Sequence, residues 1–90
     1  MATVILIIKL MPSSPEADLG KIKSAALSSM EAEGAKNITF EEKPIAFGLK
    51  AIIMKFSLPE EKGTDLVESK LSQILDISSV TIEDYRRTLS

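Results

Sequence analysis

Residues 3–11 read "TVILIIKLM". Apolar, mostly β-branched side chains occupy both parities of the run as far as Lys9. A strand with one face in water alternates apolar and polar residues, so a run that is apolar on both sides suits the middle of a sheet. Pro12 and Pro15 then break it. Ser14 is placed as an N-cap and Pro15 as a first helical residue, with Glu16 and Asp18 at the positive end of the helix dipole. Leu19, Ile22, Ala26 and Met30 follow at helical spacing, which predicts an amphipathic helix over residues 15–33 with Gly34 as the residue after its cap.

Residues 36–46, "KNITFEEKPIA", place Ile38 and Phe40 on one side. They read as an edge strand, because Pro44 lacks the donor that a central ladder needs. Gly48 permits a tight turn or bulge. Residues 49–58, "LKAIIMKFSL", give a third strand with Ile52, Met54, Phe56 and Leu58 on one face. Pro59 and Gly63 bound a loop, and Thr64 is placed to cap a second helix with Val67, Leu71, Ile74 and Leu75 as its stripe. Residues 78–87, "SSVTIEDYRR", form a last, more polar strand with Val80 and Ile82 inward.

A faint repeat supports this order. Pro12, Asp18, Leu19 and Lys23 recur as Pro59, Asp65, Leu66 and Lys70, each 47 residues on. The frame sets strand end on strand end and helix start on helix start, so each half is a β-α-β unit. The chain is then α+β: a ferredoxin-like split β-α-β sandwich, βαββαβ, with two helices on one face of a four-stranded antiparallel sheet. The first and third strands are central. Their outward face carries Ile5, Ile7, Lys9, Leu49, Ala51, Ile53 and Lys55, either a partly solvated sheet or a face that docks onto a partner.

Ninety residues suit one domain over 1–90, and 44% hydrophobic with 27% charged residues is a globular composition. With neither cysteine nor histidine, the usual nucleophile–base pair, zinc ligands and pH switch are missing. A net charge of −2 gives no long-range attraction to nucleic acid or anionic membrane. The apolar run from Val4 to Ile8 is too short to cross a bilayer and lacks a signal peptide's basic start, so a cytoplasmic protein is expected. There is neither GxGxxG nor a phosphate loop, and no cofactor is implied. "MPSSPE" lacks the arginine that acylphosphatase chemistry wants after a first strand. The acidic pairs Glu41–Glu42, Glu60–Glu61 and Glu83–Asp84 read as solvated charges. An RNA-stacking sheet needs aromatics on its central strands. Here the outward positions hold Ile, Ala, Leu and Lys, while Phe56 faces the helices.

Two stretches remain. In "KPIAFGLK", residues 43–50, Phe47 sits beside Pro44 and Gly48 in a connection at a sheet end; the ordinary reading folds it back to cap the core. The other is Tyr85-Arg86-Arg87, where the cations serve solubility or reach an anionic site.

Together, the opening strand followed by "MPSSPEADL", then "PIAFGLKAI" and "GTDLVE", resemble the archaeal elongation factor 1-beta family in order and spacing over essentially the whole chain. "PIAFGLKA" is the most specific segment. The resemblance implies the split β-α-β sandwich and a guanine-nucleotide exchange function without covalent chemistry. The implied partner is translation elongation factor 1-alpha, the GTPase that carries aminoacyl-tRNA to the ribosome. In the eukaryotic branch a lysine near the C-terminus reaches the partner's magnesium site, where a cation competes with the metal. Aligned on Tyr85, that lysine corresponds to Arg87, with Arg86 as the neighbouring candidate; "RRTLS" departs from the eukaryotic asparagine–lysine–isoleucine ending. Pro44, Phe47, Gly48 and Lys50 fall on the family's conserved surface and are expected at the partner interface. The resemblance carries no nucleic acid or membrane partner, and a monomer when free is expected. The lack of an N-terminal extension argues against the larger multi-subunit arrangement of the eukaryotic factor. The alternative is a regulatory or ligand-binding module of the same fold that self-associates through its open sheet face.

Overall fold

In the computed structural model, which describes residues 2–89, the elements run β1 (Ala2–Pro12), α1 (Leu19–Ala32), β2 (Lys36–Pro44), β3 (Lys50–Pro59), α2 (Thr64–Ser72) and β4 (Ile77–Leu89). Short 3-10 turns at Ala46–Gly48 and Glu60–Lys62 flank β3. The sheet order is β2-β3-β1-β4, with every neighbour antiparallel. The run that is apolar on both parities, β1, is therefore central, and β2 lies at an edge, where Pro44 needs no ladder donor.

Pairing of Val4 with Leu58, Leu6 with Phe56, Ile8 with Met54 and Leu10 with Ile52 lines up one buried face across the two central strands. Ile22, Ala26 and Met30 of α1 and Val67 and Leu71 of α2 close over it, giving one contiguous core. Ile38, Phe40, Val80 and Ile82 extend it at partial burial from the edge strands. The fold is the ferredoxin-like α+β sandwich that the β-α-β frame predicts.

Both helix starts differ from the expected ones. The chain turns through residues 13–17, where the Ala17 N–H donates to the Ser14 carbonyl at 3.2 Å. The α1 cap is Asp18, whose carboxylate accepts from the Lys21 N–H at 3.2 Å. Asp18 is the last good capping side chain before the apolar stripe, and a later start leaves Pro15 free to shape the loop. At the other end Gly34, at φ 92°, donates to Glu31 while Ala35 donates to Met30, each at 3.0 Å. This Schellman closure satisfies carbonyls that the helix leaves open. α2 is capped by Gly63, and Thr64 is already helical with no side-chain cap bond. In the 47-residue frame the strand-ending prolines coincide, but Leu19 opens α1 whereas Leu66 is the third residue of α2.

A further correction concerns the α2 stripe. Val67 and Leu71 are buried and Ile74 is partly so, but Leu75 is 83% exposed. The helix ends at Ser72, so residue 75 no longer follows helical spacing.

Ion pairs tie the layers. Lys23 of α1 meets Glu42 of β2 at 2.6 Å, and Lys62 and Lys70 both approach Glu33. The hydrogen bond and charge of Lys23 hold the Glu42 carboxyl below its ordinary range, with a smaller contribution from Lys50.

Two measurements check this account. Phe56→Ala empties a fully enclosed position and is expected to cost about 3–5 kcal/mol in urea unfolding, whereas Ile53→Ala on the open face is expected to cost under half as much. Because the folded pKa of Glu42 is depressed, its contribution is present above the unfolded carboxylate pKa and is lost as pH falls through the lower folded value. The stability difference between the wild type and Glu42→Gln should therefore be small at neutral pH, since the pair is partly solvated, and vanish below the usual carboxylate range.

Candidate functional site

Phe47 lies in the tight connection between β2 and β3. Ile45 donates to the Leu49 carbonyl at 2.8 Å, and Leu49 donates back to Ala46 at 3.2 Å. Closing the chain this tightly requires two successive left-handed residues, Phe47 at φ 62° and Gly48 at φ 75°. Glycine meets that requirement without steric cost; a phenylalanine there is a bulky side chain in a region it rarely occupies. Phe47 does not cap the core: it is 91% exposed, and Ile45 beside it is 42% exposed. A carbon built as a side chain on Gly48 would stand 3.8 Å from Cβ of Pro15, so the turn rests near the β1–α1 loop. Below it, a shallow cleft of about 210 Å³ on the open sheet face is lined by Pro44, Ile45, Ala51 and Ile53 together with the charged Lys9, Lys43 and Glu83. Pro44 and Lys50 form the last pair of the β2–β3 ladder and so hold the base of the turn.

Tyr85, Arg86 and Arg87 belong to β4 and are held by its ladder to β1. Ile82 pairs with Ile8, but Asp84 pairs with Ile7, so Glu83 is an extra residue in the strand. A single bulge reverses the parity of everything after it. Tyr85 thus lies opposite the buried Leu6, and Arg87 opposite Val4, on the helix-facing side. Arg86 lies opposite Ile5 on the open side. Each arginine has an acidic partner: Arg87 meets Glu60 of the β3–α2 turn at 2.8 Å, and Arg86 meets Asp84 at 2.9 Å. Glu60 was legible only as one of several solvated acids, because nothing local in the chain reveals which cation it meets.

The residues singled out from the sequence therefore form two clusters. Pro44, Phe47, Gly48 and Lys50 stand at the end of the sheet where β1 finishes; Arg86 and Arg87 stand toward the end where β1 begins, with Tyr85 next to them opposite Leu6, near the middle of β1. Ile52 pairs with Leu10, and Arg87 with Val4. The intervening strand length is roughly 20 Å at ~3.3 Å per residue. Leu75 lies at the first of these ends, since β4 starts there with Ile77 opposite Pro12. The apolar periodicity that put Leu75 on the α2 stripe hid it; the helix-ending signal is the polar Ser72-Gln73 before it and Asp76 after it, the latter at φ 69°.

No helix among the described residues is long and apolar enough to cross a membrane. Two solved structures share the fold at low identity. LarC2, the C-terminal domain of a cyclometallase involved in the synthesis of the NPN cofactor of lactate racemase, superposes in its apo form with a TM-score of 0.66 at 12% identity, covering 99% of this chain and 58% of that one. The de novo designed protein Foldit4 gives 0.66 at 16% identity, covering 98% of each. Sequence relatives are more specific. The elongation factor 1-beta of Methanobrevibacter smithii is 40% identical, over 99% of this chain and 100% of its own length. That of Metallosphaera sedula is 38% identical over 97% of both chains, and that of Haloarcula marismortui 38% identical over 97% of this chain and 99% of its own. Residues 5–88 match the family described as the EF-1 guanine nucleotide exchange domain, and this chain belongs to that family.

Proposed function

We propose that the chain, acting as one exchange domain over residues 1–90, promotes GDP release from translation elongation factor 1-alpha so that GTP can enter. The observation that carries this reading is the end-to-end match to archaeal elongation factor 1-beta proteins, without a large insertion or an unmatched half. The factor forms no covalent bond. It binds the nucleotide-free partner more tightly than the GDP–magnesium state. By linkage, it weakens the partner's hold on GDP by the same factor. The site of action is the cytoplasm, with no part for nucleic acid or membrane.

In this reading both clusters touch the GTPase. Phe47, with Pro44, Gly48 and Lys50, is the apolar contact; a bulky, exposed aromatic side chain at this left-handed position is a feature that a purely structural turn does not need. Arg87 is the cation that reaches the partner's magnesium site, with Arg86 the second candidate and Tyr85 beside them. Arg87 must leave Glu60 to do so. That pair is well solvated, and such pairs contribute about 0–1 kcal/mol, so release is not a barrier. The ~20 Å between the clusters means that the partner must be engaged along the whole length of the strands.

The open sheet face does not require a second copy of the chain. Ile5, Ile7 and Ile53 are already partly covered by their neighbours, and Lys9 and Lys55 stand among them. Light scattering is expected to give the mass of one chain; a stable dimer would favour the self-associating module instead.

The direct test is release of labelled GDP from the purified GTPase. Substoichiometric wild-type chain should accelerate it, and no acceleration would sink the proposal. Arg87→Ala should lower the maximal exchange rate at least about tenfold with a smaller effect on binding. Phe47→Ala should instead raise the half-saturating concentration about tenfold or more. An unchanged rate for Arg87→Ala would remove that cation from the mechanism.

A further inference from the structure

Among the described residues the exposed large hydrophobics are Ile45, Phe47, Leu75 and Tyr85. Three of these four stand at one end of the sheet, although they come from two connections far apart in sequence. Single exposed apolar residues are ordinary; their concentration at one end of a sheet is not. The α2–β4 loop that carries Leu75 is fixed at Asp76, whose backbone is left-handed and whose carbonyl accepts the Ser13 N–H at 2.8 Å. Pro15 of the same β1–α1 loop lies near Gly48, since a carbon built as a side chain on that glycine would stand 3.8 Å from Cβ of Pro15. The α2–β4 loop is thus tied to the β1–α1 loop by a hydrogen bond, and the Phe47 turn lies beside the latter. The Phe47 turn joins β2 to β3 while Leu75 precedes β4, which separates the two by between two and three strand spacings, roughly 12 Å.

We infer that Leu75 and Phe47 form one two-anchor docking surface, occupied by the same GTPase. The inference rests on the exchange reading above and extends it to a residue which that reading does not use. Continuity favours this occupant, because Leu75 lies at the same end of the sheet as Phe47. Exposed acids, Glu16, Asp18 and Asp76, and exposed lysines, Lys43 and Lys50, both stand at this end, so its charge is mixed and the anchors are its apolar ground. The surface fits a partner with two apolar depressions.

Leu75→Ser and Leu75→Met, each in the full chain, test this against the purified GTPase. Half-saturating concentration and maximal exchange rate are read together with the thermal midpoint and the solution mass. Leu75→Ser should raise the half-saturating concentration about tenfold at an unchanged maximal rate, while Leu75→Met stays within about twofold of wild type. A normal half-saturating concentration for Leu75→Ser, with Phe47→Ala impaired, overturns the second anchor and leaves the exchange reading intact. Equal losses in both Leu75 variants with a lowered thermal midpoint assign the residue to stability and overturn it too. A wild-type dimer that Leu75→Ser dissociates gives the surface to a second copy. Wild-type chain that neither binds nor exchanges overturns both readings.

Discussion

The position of β1 between β3 and β4 is the constraint on which the rest depends. Both neighbours run antiparallel to it, so its register sets where every connection emerges. Its inward residues, Val4, Leu6, Ile8 and Leu10, are fully enclosed beneath the two helices. A slip of one residue in β1 would exchange that row for Thr3, Ile5, Ile7 and Lys9, setting a lysine against the helices. The same register sends the β2–β3 turn, the β1–α1 loop and the α2–β4 loop to one end, and sends the β3–α2 turn and the last residues of β4 to the other.

This division organises the surface by chemistry. One end presents apolar side chains on backbone that is locally strained or left-handed, at Phe47 and Asp76. The other presents arginines held by acids of the same chain. The Glu83 bulge makes the second arrangement possible. Without it, alternation from the inward Ile82 would carry Arg87 to the open face, away from Glu60. An apolar anchor supplies affinity through desolvation, whereas an exposed cation supplies a charge that can be moved to another anion. In the exchange function proposed above, the two ends suit separate tasks in one encounter, holding the partner and perturbing its nucleotide site.

Much of the fold was legible because hydrophobic burial writes its period into the chain. The run 3–11, the alternation from Ile52 to Leu58 and the stripe Ile22, Ala26, Met30 each report one buried face. Helix starts were less legible, because Ser14 and Asp18 both cap well and the choice between them depends on how the loop packs. Leu75 was misread for a related reason: helical spacing continues past the point where the backbone stops being helical. The direction of Phe47 depends on a positive φ, which no neighbouring residue type demands, since Gly48 alone would have accounted for a turn. The faces of Tyr85 and Arg87 depend on a bulge, which is a property of two strands together and not of either alone. The family resemblance marked these residues as a surface, and the strand register shows that they are two.

In the proposed exchange function one partner engages both ends of the sheet. Hydrogen exchange of the chain, free and bound to nucleotide-free elongation factor 1-alpha, tests it most directly. Engagement of both ends predicts slowed exchange on binding at residues 45–49 and at residues 85–88, with the α1 amides unchanged. Slowing confined to one end, or to the strands of the open face, would contradict it.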